Sequence, residues 1–126
     1  MRDSKVYDAE NRVFADEQKL SEIGVKKLFY HIIGDPWFIN KYGEGYKLYI
    51  VGDYYDYSFA IYKQVYILEY EHFTEASVIH ECAHSVKRVR SNPHGKAWQK
   101  RYAEMVGRYI SIEKAEELAR EFAKLS

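Results

Sequence analysis

Cysteine occurs once in this 126-residue chain, which excludes an internal disulfide framework and leaves a reducing compartment open. Long apolar runs are missing as well. No stretch approaches the ~20 apolar residues that span a bilayer, and no basic segment leads into an apolar signal core. A soluble, cytoplasmic protein with no membrane contact is therefore the expectation. Net charge is absent too: nineteen Lys and Arg cancel nineteen Asp and Glu, which removes any whole-chain electrostatic claim on nucleic acid. There is no internal repeat, no low-complexity segment, no phosphate-binding glycine loop and no paired-cysteine zinc knuckle. What the chain does have is the 47% apolar content of a globular protein and thirteen tyrosines, concentrated between Tyr42 and Tyr70. Its length suits one domain, residues 1–126, and is short for two.

Local pattern places the elements. Val6, Tyr7, Val13, Phe14 and Leu20 form an uneven helical stripe in the first twenty residues. Ser21 caps a second helix with Ile23, Leu28, Phe29, Ile32 and Ile33 on its apolar face, stopped by Gly34 and broken by Asp35-Pro36. Trp37, Phe38 and Ile39 read as a short strand or as an aromatic plug over the core. Tyr42 to Gly45 reads as a turn, and strands follow over Tyr46 to Val51, Tyr57 to Tyr62 and Val65 to Tyr70. Thr74 caps a helix whose stripe is Ala76, Ile79, Ala83 and Val86, with His80 and His84 along an adjacent face. Ser91-Asn92-Pro93 turns the chain into a helix over 96–108 that packs Ala97, Trp98, Met105 and Val106 inward, with Gly107 near its end. Ser111 caps the last helix, which turns Ile112, Ala115, Leu118, Ala119 and Phe122 to the core. The predicted class is α+β: a small three-stranded sheet packed by helices.

The chemistry concentrates in His80-Glu81-Cys82-Ala83-His84 and in His94, ten residues on. Two histidines four apart share a helix face, near enough for both imidazoles to hold one metal ion. Neutral imidazoles bind zinc without cancelling its charge, and three protein ligands leave a fourth position for water. The reading is a mononuclear zinc site with His80, His84 and His94 as ligands and Glu81 as the general base. Glu104, twenty positions after His84, competes with His94 for the third place. Cys82 lies between the ligands in sequence but points elsewhere around the helix, which favours buried packing.

With His94-Gly95-Lys96-Ala97-Trp98 following it, the His-Glu-x-x-His segment resembles the SprT-like zinc metallopeptidases. The likeness is best over residues 74–106 and rests on the ligating histidine, the glycine after it and the aromatic residue three positions beyond. It implies a compact zincin-like fold, zinc on the three histidines, a catalytic Glu81 and peptide-bond hydrolysis in protein substrates. The family often has methionine where this chain has Tyr102, with Met105 one turn later. A second resemblance, to small single-domain gluzincin-like peptidases, implies Glu104 as third ligand. In zincins an edge strand near the cleft commonly binds substrate backbone, which points to the strand ending at Tyr70 or its neighbour. Tyr102, Tyr109 and the sheet tyrosines are all candidates for steadying an oxyanion.

The substrate class stays open beyond protein or peptide. Residues 85–108 carry Lys87, Arg88, Arg90, Lys96, Lys100, Arg101 and Arg108 against Glu104 alone, a basic patch suited to weak, salt-dependent DNA contact. Solvated cations at a helix end explain the same run. The competing function is a catalytically inactive, metal-stabilised module that binds DNA or protein.

Overall fold

The computed structural model describes residues 4–52, 54–88 and 93–125. Arg90 and the Ser91-Asn92 part of the expected turn lie outside the described residues. Among the described residues six helices and a three-stranded sheet make an α+β protein, and the contacts cluster into two compact units, Gln18–Val89 and Met1–Glu17 with Arg90–Ser126. No helix among the described residues is long and apolar enough to cross a membrane.

The Gln18–Val89 unit begins with α2 (Glu22–Gly34), where the Ser21 hydroxyl accepts the Gly24 N–H at 3.0 Å. Phe29 and Ile32 of the expected face are buried together with Val25, Leu28 and Ile33 are half-buried, and Ile23 alone of that face is exposed. Asp35 ends α2 and caps α3 (Pro36–Tyr42), its carboxylate accepting the Trp37 N–H. The Trp37 to Ile39 stretch is thus helical, not a strand. An Asp cap followed by Pro at the first helical position outweighs the strand propensity of three apolar residues. Phe38 is the plug: it is fully buried, with Tyr42 and Tyr46 packed on it. Gly43 and Gly45 then take positive φ values, which glycine adopts without a Cβ clash.

Strands β1 (Lys47–Val51), β2 (Phe59–Ile61) and β3 (Gln64–Leu68) lie in the order β1-β3-β2. β2 and β3 form an antiparallel hairpin, and β1 pairs parallel with β3, Tyr49 opposite Tyr66. Val65 and Ile67 are fully buried on the face covered by α4 (Glu75–Ser85). That helix starts where Thr74 Oγ1 accepts the Ser77 N–H at 3.1 Å. Lys63, at the hairpin turn, holds the sheet to the helix: its N–H donates to the Ser85 carbonyl and its own carbonyl accepts from Lys47.

The other unit is helical. It comprises α1 (Ser4–Val13), α5 (Lys96–Tyr109) and α6 (Ile112–Ala123). Trp98 stacks on Tyr102 at 5.0 Å, and both rings meet Phe122. Gly107 lies near the end of α5, as expected; a Cβ there would come within 3.3 Å of Ala115 Cβ on α6, so the glycine permits a close helix approach. Leu118 and Phe122 are buried as expected, while Ala97, Ile112 and Ala119 face solvent. Burying a large apolar side chain contributes about 1.5–3 kcal/mol, and in α5 the residue that does so besides Trp98, Met105 and Val106 is Tyr102.

Candidate metal centre

Helix α4 positions the first part of the site. The helical period brings His80 and His84 to one side, with ring centroids 4.9 Å apart. His80 is buried and His84 half-buried. Glu81 is buried beside them, its Oε2 3.9 Å from His80 Nε2. A carboxylate at that distance is beyond a direct hydrogen bond and within reach of a shared small molecule such as water.

His94 sits just ahead of α5, next to the helix cap Gly95. Two rings hold its imidazole: Trp98 edge-on at 4.8 Å and Tyr7 of α1 edge-on at 5.4 Å. The Gln99 side-chain amide donates to the His94 carbonyl at 2.9 Å, which fixes the backbone of the same residue. Behind Trp98, the Tyr102 hydroxyl donates to Glu10 Oε2 at 2.7 Å in a buried contact between α5 and α1. Tyr7, Glu10 and Gln99 were not singled out by sequence reasoning. Tyr7 had the signal of the helical stripe, whereas a buried acid in a charged helix has no local signature.

Ring nitrogens of His80, His84 and His94 all lie within 4.8 Å of one another, close enough to hold a metal ion. Glu104, the alternative third ligand, is exposed on α5 and is not part of this group. An all-imidazole donor set suits zinc, copper, iron and nickel, and leaves the charge of a divalent ion uncancelled.

Other expected participants fall elsewhere. Cys82 is buried, and desolvation, with the Glu81 charge second, pushes its thiol well above the ordinary range. That is the state of a packing residue and not of a thiolate nucleophile. Tyr102 is fully buried with its hydroxyl committed to Glu10, which removes it as an oxyanion donor. Strand β3, which leads to Tyr70, is the central strand of the sheet, so among the described strands β1 and β2 have the edges that could take a substrate backbone. Of the basic run, Lys87 and Arg88 are exposed at the end of α4, with the Arg88 guanidinium 4.7 Å over the Tyr62 ring. Lys96, Lys100 and Arg108 are exposed on α5. Set against models of known protein families, curated proteins and solved structures, the chain finds no match in any of the three.

Proposed function

We propose that the chain is a zinc-dependent metalloendopeptidase of the SprT-like, zincin kind, with His80, His84 and His94 as zinc ligands and Glu81 as the general base. The observation that carries this reading is the convergence of three histidine nitrogens within 4.8 Å, two of them from α4, which also carries the buried Glu81 carboxylate, and the third from His94 ahead of α5. Their donor chemistry fits zinc: three neutral nitrogens from the chain is the ligand count of a catalytic site. When bound, zinc supplies Lewis-acid polarisation of a carbonyl and lowers the pKa of water to about 7.

The chain's residues do the rest. Glu81 Oε2, beside His80 Nε2, accepts a proton from a water molecule as the water oxygen bonds the peptide carbonyl carbon, and delivers it to the departing amine as the C–N bond breaks. Trp98, Tyr7 and Gln99 orient His94, so the third ligand needs little reordering to bind. The substrate is protein or peptide, and Lys87 and Arg88 supply positive charge for weak, salt-dependent contact with DNA.

Metal content by elemental analysis, paired with cleavage of a denatured protein, tests the proposal. About one zinc per chain is expected. Glu81→Gln should keep the ion and lose cleavage by roughly 10²–10⁴-fold, the range for a general base. Each of His80→Ala, His84→Ala and His94→Ala should release the ion, and Glu104→Ala should keep it. A wild-type chain that takes up no zinc overturns the proposal; a Glu81→Gln chain that cleaves normally overturns the role of Glu81. Zinc retained without any cleavage leaves the metal-stabilised binding module as the function.

A further inference from the structure

One face of the sheet carries rings that folding leaves wet. Tyr49, Tyr66 and Phe59 occupy a single cross-strand row, one from each strand. Their rings stack at 4.8 and 4.4 Å, with interplanar angles of 16° and 11°, and Tyr55 extends the column 5.6 Å beyond Phe59. Side chains alternate along a strand, and Val65 and Ile67 are buried under α4, so this row is on the face turned away from the helix. Tyr55 is 44% exposed, Tyr57 55% and Tyr70 74%. Two open cavities of about 440 and 380 Å³ meet here, sharing Tyr55 and Asp56. Contiguous exposed apolar surface of this kind marks interaction sites in soluble proteins.

Charge selects the occupant. Asp56, Glu69 and Glu71 line the second cavity together with Tyr55 and Tyr70. Among the described residues no lysine or arginine forms a salt bridge with any of these three carboxylates. The corner nevertheless accepts a cation, since the Lys19 ammonium donates to the backbone carbonyls of Tyr70 and Glu71. Elsewhere in the same unit the tyrosines already pair with cations: Lys63 lies 5.5 Å over Tyr46, and Arg88 lies over Tyr62. A guest ammonium or guanidinium would meet ring faces and carboxylates at once, gaining cation–π attraction and ion pairing. A nucleic acid would bring phosphates against the three carboxylates. A neutral sugar would leave the three carboxylates without a counter-charge.

We propose that this aromatic, acid-rimmed face of the sheet is a docking surface for a Lys/Arg-rich polypeptide segment. The surface faces away from α4, so it acts as a partner-recognition site separate from His80 and His84, and it stands whether or not the chain is a peptidase. The test is fluorescence anisotropy with the full chain and four labelled probes: a 12-residue Lys/Arg-rich peptide, an acidic peptide, a neutral peptide and a single-stranded oligonucleotide. The basic peptide should bind most tightly. Tyr55→Ala and Tyr70→Ala should each weaken it about threefold, and together about tenfold, the scale of an exposed cation–π contact. Tyr55→Phe keeps the ring and should keep the binding. Asp56→Asn/Glu69→Gln/Glu71→Gln should weaken binding and flatten its salt dependence. The proposal is overturned if no probe binds, if the acidic peptide or the oligonucleotide binds as tightly as the basic peptide, or if the ring and charge variants bind it like the wild type.

Discussion

Tyr102→Phe removes one oxygen from the interior of the helical unit, and the structure says what that oxygen does. Tyr102 is fully buried, and its hydroxyl donates to Glu10 Oε2 at 2.7 Å. The ring volume is retained in the variant, so no cavity term enters. What is lost is the donor to a buried carboxylate oxygen, at a cost of about 1–3 kcal/mol. For a chain of this length that corresponds to a Tm lower by roughly 5–10 °C. Glu10→Met, which removes the acceptor, should cost a similar amount or more. The double variant leaves neither partner orphaned at this contact, so the two changes should be less than additive, with a coupling of at least ~1 kcal/mol. Thermal or urea unfolding of all four chains without metal measures it. Additivity to within ~0.5 kcal/mol would mean that the hydroxyl and the carboxylate do not act as a pair, and the reasoning from the 2.7 Å contact would fail. The result bears on the candidate metal centre, because α1 also carries Tyr7 against the His94 ring.

Ser58→Ala should destabilise by about 1–3 kcal/mol and speed hydrogen exchange at the Leu68 amide. The Ser58 hydroxyl accepts that N–H at 2.7 Å and donates to His72 Nδ1 at 2.6 Å, and an unchanged exchange rate would refute the assignment. Alkaline stability gives a further check. Burial, and then the neighbouring Tyr62, Cys82 and Tyr42, push the Tyr46 phenol up to about 12. The folded state therefore holds that proton where the unfolded chain has released it, so this contribution is complete below about pH 10. It is lost as pH rises through about 12. Tyr46→Phe removes the titration, so the wild type should lose stability more steeply than the variant between those two pH values; parallel pH profiles would refute the shift.

Much of the local structure was legible in single residues. Ser21, Thr74 and Ser111 cap α2, α4 and α6, because a short side-chain oxygen satisfies a helix N–H that has no intrahelical partner. The apolar stripe of α4 packs as its spacing required, with Ala76, Ile79, Ala83 and Val86 buried. Other apolar residues were assigned inward and lie outward, among them Ile23, Ala97 and Ile112. Periodicity says that a helix has a face, but what covers each position along it is decided by neighbours distant in sequence. Strand order was similarly hidden. Parallel pairing of β1 with β3 leaves β2 at an edge through non-local hydrogen bonds, which no local pattern encodes.

By itself the sequence determined that His80 and His84 share a side of one helix with Glu81 next to them, since a 3.6-residue period turns spacing into geometry. It also determined that Cys82 turns away from that pair. Which residue from elsewhere in the chain comes near those two histidines is a matter of tertiary structure, because it depends on where a separate segment is carried in space. His94 is held by Trp98, Tyr7 and Gln99 and belongs to the cluster, while Glu104 faces solvent. The aromatic face of the sheet has the same origin: the tyrosines were countable in the chain, but only pairing three strands in register stacks Tyr49, Tyr66 and Phe59 into one column.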